Sequence, residues 1–454
     1  MNLQKILDSV PNYREFLAPN ELLTFSKQLA QKFPKSVHFE IIGISQENKK
    51  IGLLTIGTGE HKAFLYGFPH PNEPIGSLTI KFWAEYLARN HQLVDQLNFT
   101  WLLIPCIDPD GAEKNQGWFK GSFQPLKYFI HRYRQCSEDQ IDWSFPVEYK
   151  KLKKMKPLPE TRVIMDIIQD HKPILMTSLH NAPFFGVHAY VNKNIPTLFT
   201  EISQFVRQEK LPIHSAAPIW NFQEVYAPGF YYMGGIREIY DYYEKYQPEA
   251  IGNLKLAAFS GEYYNLQRPE GFFMNIEVPL YYSWELTNQT KSAIPLLETE
   301  KKICQHILDN IKFLKPFWSD ISRRINKKSS FYPPIQDYLD NWEENIQIKL
   351  TGLAKDPALK KPATKADIFY ADWVQKYNRC LELGGMVRLI NEAAIDPKDP
   401  LLLEIKEKIL QEIIKIDQEV RSNIDIHFPS IKTNVRIQLN AILSSVKYFL
   451  KNNK

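Results

Sequence analysis

The sequence predicts an α/β fold, a mostly parallel mixed sheet covered by helices on both faces, followed by a carboxyl-terminal all-α extension. Three observations carry this expectation. Runs of strand composition alternate with helical patterns up to about residue 315, the arrangement that builds a helix-covered, largely parallel sheet. One of the runs, Pro173-Ile-Leu-Met-Thr-Ser-Leu-His180, is apolar without alternation, as a strand buried on both faces must be. From about Pro295 onward the pattern is almost wholly helical.

Taken in order, the first 36 or so residues read as two short helices ending at Phe33-Pro-Lys-Ser. His38-Phe-Glu-Ile-Ile-Gly-Ile and Ile51-Gly-Leu-Leu-Thr-Ile have strand composition and are joined by the hairpin-like Ser45-Gln-Glu-Asn-Lys-Lys. Ala63-Phe-Leu-Tyr-Gly continues as a strand. Pro74 suits the first turn of a helix running to about Asn90, because that position needs no N–H donor. Asn98-Phe-Thr-Trp-Leu-Leu-Ile-Pro is a further strand, and residues 108–160 form a long irregular tract of the kind that carries function when it occurs inside a compact domain. A helix over about Pro159 to Asp170 leads into the apolar strand with His180 at its carboxyl end, the edge where open α/β sheets bind ligands. Leu296 to Leu314 reads as a helix closing this domain, Ser329-Ser-Phe-Tyr-Pro-Pro as a linker, and Ile335 to Lys454 as several amphipathic helices whose Leu and Ile stripes are packing faces. Residues 1–320 and 321–454 are thus the expected units.

Composition narrows the function classes. A net charge of +5 on 454 residues is mild, and the clusters Lys150–Lys156 and Lys360–Lys365 lie among turn formers as solvated loops, so no nucleic-acid partner is expected. Cys106, Cys136, Cys304 and Cys380 form no Cys-x-x-Cys pair, which points to reduced thiols. The start lacks the long apolar core of a signal peptide, and no run approaches the roughly 18 apolar residues of a membrane span, so a cytoplasmic protein without a membrane partner is expected.

The chemistry begins at His70-Pro-Asn-Glu73, a histidine and a glutamate three residues apart on a strand-to-helix connection. Catalytic zinc takes three protein ligands and keeps one position open, and His70, Glu73 and His180 supply the required types, the third from the end of a neighbouring strand. A similar pair, His306 and Asp309, lies in an ordinary helical stretch. Amide cleavage also needs a carboxylate to move the proton of water to the leaving amine. Glu277, which interrupts the apolar strand Gly271-Phe-Phe-Met-Asn-Ile-Glu277-Val-Pro, is the candidate, since a carboxylate there is costly without a partner or a role.

These segments resemble the zinc carboxypeptidases of the pancreatic type, over about residues 20 to 315. The resemblance runs through Leu23-Thr-Phe-Ser-Lys-Gln-Leu, Ile42-Gly-Ile-Ser, His70-Pro-Asn-Glu73-Pro, Ile104-Pro-Cys-Ile-Asp-Pro-Asp-Gly111, Ser178-Leu-His180-Asn and Glu277, in the family's order. It implies the zinc-carboxypeptidase-like fold and one zinc per chain held by His70, Glu73 and His180, with Glu277 as general base and acid. It further implies Arg134, in Tyr133-Arg134-Gln-Cys-Ser, as the cation that polarises the scissile carbonyl, and Asp142 as acceptor of the second imidazole N–H of the first zinc histidine. A flexible tyrosine upstream of the base corresponds to Tyr263 or Tyr264.

The chain departs from the family where Asp-Leu-Asn-Arg-Asn-Phe-Pro is usual and Asp142-Trp143-Ser144-Phe145-Pro146 stands here. The Asn-Arg pair that grips a substrate carboxylate is missing. Either another cation, Arg132, Arg237 or Arg268, replaces it, or the substrate end is neutral and sits on Trp143, Ser144 and nearby aromatics. The implied function is a zinc metallopeptidase cleaving a peptide or small amide, carboxypeptidase-like, with atypical recognition of the substrate end. The alternatives are an acyl-amino-acid deacylase or amidase of the related group, and a non-catalytic zinc-site scaffold. Self-association through the carboxyl-terminal helices is a further expectation.

Overall fold

The computed structural model describes residues 3–216 and 222–452. A nine-stranded sheet organises the chain, with spatial order 37–44, 50–56, 99–104, 61–67, 175–184, 272–281, 188–191, 230–232 and 225–227. The four central strands, 99–104, 61–67, 175–184 and 272–281, run parallel, whereas 37–44 with 50–56, 50–56 with 99–104, and 272–281 with 188–191 pair antiparallel. The sheet is therefore mixed with a parallel centre. Strand His61–Gly67 connects through the helix Ile75–Arg89 to its neighbour on one side, while its neighbour on the other side, Leu175–Phe184, arrives much later in the chain. This reversal of direction opens a crevice at the carboxyl ends of the central strands.

Alternation along the strands divides the interior in two. Ala63, Leu65, Trp101, Leu103 and Leu179 face one core, and Phe64, Tyr66, Leu102, Ile104 and Met176 face the other. The second core is closed by helices Pro159–His171, Ile236–Tyr246 and Ser260–Gln267, through Val163, Ile167, Ile239 and Tyr264 among others. Helices Ile75–Arg89 and Pro196–Gln208 cover the first face, together with the terminal helix Ile431–Asn452, which packs against both of them and against the two longest strands. Each fully buried Leu, Ile, Val or Phe on these faces contributes about 1.5–3 kcal/mol.

Several expected elements extend further than their sequence signals. Strand 175–184 continues four residues past His180 because Phe272–Tyr281 pairs with it along its length, from Phe272 opposite Leu175 to Tyr281 opposite Phe184. The helix expected to end near Leu314 runs to Arg324 with Pro316 inside it, and the expected linker at residues 329–334 is already helix from Tyr332. Nor does the boundary expected at residue 320 separate two cores. One hydrophobic cluster takes in Ile6, Leu65, Leu179, Leu383 and Leu443, and helix Gln375–Ala393 packs on Pro125–His131. Among the described residues no helix is long and apolar enough to cross a membrane.

Candidate metal and active site

The crevice forms where strand 61–67 stops and its neighbours go on. Gly67 lies opposite Leu179, the last pair between these strands, so His180 is the first residue of 175–184 beyond that partner. Phe68 has a φ of 56°, a left-handed backbone that a bulky side chain adopts only under constraint. The chain turns there, and Glu73 N–H closes back onto His70 C=O at 3.1 Å. Gly76 lets the following helix approach the next strand: a Cβ at this position would lie 2.6 Å from the carbonyl oxygen of Leu179. That approach seats Glu73 beside His180.

His70, Glu73 and His180 are all buried, and one ligand atom from each lies within 4.8 Å of the others. Glu73 Oε2 sits 2.8 Å from His180 Nδ1 and accepts from the Asn181 N–H at 3.3 Å, while Glu73 Oε1 accepts from Arg134 Nη1 at 3.3 Å. Ser178 Oγ lies 2.6 Å from His180 Nε2. Residues paired across a parallel ladder share a face, and Glu277 pairs with His180; its Oε1 lies 3.6 Å from His180 Nδ1. Asn275, two residues earlier on the same face, also lines the cavity.

The electrostatics follow from burial. Burial, with Arg134, His180 and Arg132 nearby, pushes His70 well below its usual pKa, so its imidazole is neutral. Burial drives Glu277 upward, opposed by His180 and reinforced by Glu73. Burial also opposes a charge on His180, but Glu277, Glu73 and Asp142 outweigh it and raise the imidazole to about 9.

A zinc ion suits this set. Two imidazoles and a carboxylate are the donors of an open catalytic zinc site, and among the described residues His70 Nδ1 is buried with no hydrogen-bond partner.

The other expected site residues divide. Arg134 enters the cavity, held by Gln140 at 2.9 Å and stacked over Trp143 at 5.2 Å, and Trp143 meets the His70 ring edge-on at 5.0 Å. Asp142 lies beside His180 rather than His70: its Oδ2 is 3.7 Å from His180 Nε2, and its Oδ1 accepts from the Tyr66 hydroxyl at 2.7 Å. The short 3-10 turn Ile141–Trp143 sets that direction. Ser144 and Tyr263 do not line the cavity. Ser144 Oγ is bonded to Thr161 and the Ile141 carbonyl, and Tyr263 packs on Phe145 with its hydroxyl accepting from Gln169 at 2.6 Å. Of the alternative cations, Arg237 pairs with Glu262 and Arg268 with Glu270, both outside the cavity lining, whereas Arg132 is part of it.

The cavity has a volume of about 650 Å³, and its far wall is made by Asp337, Tyr338, Trp342, Tyr370, Asn378 and Glu382, all from the carboxyl-terminal helical region. No sequence pattern places these residues: a helical stripe tells which face is buried, not what it faces. Asn275 did carry a signal, being a polar residue on the same strand face as Glu277.

Residues 22–194 match the zinc carboxypeptidase family model. This match spans the three candidate ligands and stops before Glu277. Carboxypeptidase D of Anas platyrhynchos is 23% identical over 221 residues, covering 44% of this chain and 15% of that protein, so the similarity spans a small part of the relative's length. Among solved structures, carboxypeptidase A of Helicoverpa armigera shares 17% identity with a TM-score of 0.37, over 61% of this chain and 69% of that one. The metallo-carboxypeptidase of Burkholderia cenocepacia shares 18% with a TM-score of 0.35, over 58% and 60%. These scores are too low to carry an argument; the fold stands on the strand order and register described above.

Proposed function

We propose that the protein is a zinc-dependent hydrolase of a peptide or amide bond, carboxypeptidase-like, with an unusual grip on the substrate end. The observation that carries this reading is the convergence of His70, Glu73 and His180 within 4.8 Å, in one cavity with Glu277 and Arg134. His70, Glu73 and His180 would hold the ion, which when bound supplies Lewis acidity toward a carbonyl and water.

The chain's own groups account for the rest. Glu277, in the same cavity and 3.6 Å from His180 Nδ1, takes a proton from the attacking water and returns it to the leaving nitrogen. Arg134 directs N–H donors at the oxygen where negative charge develops, and Trp143 with Gln140 holds its guanidinium plane before substrate arrives. Ser178, bonded to Nε2, and Asp142, fixed by Tyr66 and 3.7 Å from the same nitrogen, orient the His180 ring. Tyr338, Trp342 and Tyr370 add an aromatic wall on which an apolar part of the substrate can pack.

The test is a hydrolysis assay on a panel of blocked dipeptides and acyl-amino acids, with zinc counted per chain. One zinc per chain, with activity lost to a chelator and restored by zinc, is the expected result. Protein that binds no zinc and cleaves nothing in the panel is instead a scaffold.

A further inference from the structure

Two arginines two residues apart reach the same cavity, and only one of them is occupied. Arg134 already bonds Glu73 and Gln140 and stacks on Trp143, and its remaining donors are the ones assigned above to the scissile carbonyl. Arg132 caps the helix Pro125–His131 with an extended backbone, so its side chain leaves the chain on the same side as that of Arg134. Its side chain is about 14% exposed, and among the described residues it makes no side-chain hydrogen bond. Its Nε is buried without a partner, and its nearest carboxylate, Glu382 Oε1, lies 4.0 Å from Nη1. That separation offsets charge but is too long for a hydrogen bond.

A buried Nε–H with no acceptor is costly unless something fills it, and the two Nη groups beside it are open to the cavity. Five N–H groups in a planar fork match a carboxylate through two parallel bonds. The lining offers few other cations: Arg134 is engaged, and Arg237 and Arg268 lie outside it. Ser144 and Phe145 are turned into the interior, bonded to Thr161 and packed on Tyr263.

From this geometry we infer that Arg132 is the substrate-anchoring residue of the cavity and binds a carboxylate of the substrate, with Glu382 of the carboxyl-terminal helical region balancing its charge when no substrate is bound. The inference rests on the proposed hydrolase reading for its substrates. The carboxylate has two sources, the free carboxyl terminus of the leaving part or an acid on the acyl part, and both present the same chemistry to the fork.

The experiment uses the zinc-loaded full chain and two substrate pairs: a blocked dipeptide with free or amidated carboxyl terminus, and an amidated peptide carrying an N-succinyl or N-acetyl group. Wild type should favour the carboxylate member of one pair by about 10- to 150-fold in kcat/KM, the range expected of hydrogen bonds to a charged group. Arg132→Met should bring that ratio to within about threefold of one by lowering the carboxylate member far more than the neutral one, with Arg132→Lys intermediate because it keeps charge without the fork. Which pair responds identifies the source of the carboxylate. A merely structural role for Arg132 would lower both members of a pair alike. Wild type that treats both pairs without preference, or Arg132→Met that keeps the preference, overturns the inference. If no substrate is cleaved, the hydrolase reading fails, and calorimetric binding of the same four compounds decides: a carboxylate preference abolished by Arg132→Met supports the anchor, and equal binding overturns it.

Discussion

The side-chain amide of Gln438 donates to the backbone carbonyl of His180 at 2.8 Å, and its own carbonyl accepts from Thr79 Oγ1 at 2.7 Å. One turn earlier, Asn434 Nδ2 donates to the carbonyl of Pro279 at 2.7 Å. Residues at i and i+4 share a helix face. The terminal helix therefore grips the two central strands from behind, one beside the third candidate ligand and the other two residues past the candidate base. A segment whose sequence reads only as an amphipathic helix is thus part of what holds His180 and Glu277 in register.

Gln438→Leu should reveal that grip. The His180 carbonyl loses the Gln438 donor and Thr79 Oγ1 is left with only its long contact to the Ile75 carbonyl, in a fully buried place, a loss of about 1–3 kcal/mol. Zinc affinity should fall about tenfold, since groups that support ligands typically act on that scale. Denaturant unfolding and competition with a chelator measure the two effects separately. A stability loss without any change in zinc affinity would show that the strands hold their ligand without help from the helix.

Glu277→Gln should keep zinc and lose at least about a thousandfold in kcat, because the amide neither accepts a proton from water nor returns one. His180→Ala should instead lose the metal. Metal analysis beside single-turnover hydrolysis separates the two, and a zinc-replete Glu277→Gln protein with normal turnover would sink the mechanism.

Arg134→Ala should reduce kcat by about 10²–10³ with a smaller change in KM, the signature of a donor engaged mainly in the transition state. Lysine at this position should recover only part of the loss, because one ammonium cannot serve Glu73, Gln140 and the substrate from a fixed plane. Steady-state kinetics on one peptide substrate suffice to compare the three proteins.

The legible parts of this architecture are those where a polar residue interrupts an apolar pattern. His180 and Glu277 stand out in buried strands, and His70 with Glu73 marks the turn after another. Orientation is harder to read. Ser144 and Tyr263 sit in segments whose direction is set by a 3-10 turn and by packing on Phe145, neither of which has a periodic signature. His180 lies mid-strand because 272–281 continues beside it, a property of the partner rather than of residues 173–180. The wall at Tyr338, Trp342 and Glu382 depends on tertiary docking of helices far along the chain. Gln438 did carry a signal: an amide flanked by Ile437 and Leu439 is buried only when it has work to do.

Glu160 offers a test of the fold that is independent of catalysis. Its Oε1 accepts from the Gln46 N–H at 2.9 Å at the first hairpin, while Oε2 is buried with no partner among the described residues. Burial raises this carboxyl from 4.5 to about 7 despite those backbone donors. Between these values the unfolded chain has released a proton that the folded protein still holds. Stability from this group is therefore greatest below about pH 4.5, declines as pH rises, and is lost above about pH 7. Glu160→Gln cannot titrate, so the wild-type stability minus that of the variant should fall across this window and be flat on either side. Urea unfolding of both proteins at several pH values between 4 and 8 gives the difference directly. A difference that rises with pH would mean that Glu160 is held as a charged carboxylate, with a cation or donor meeting Oε2.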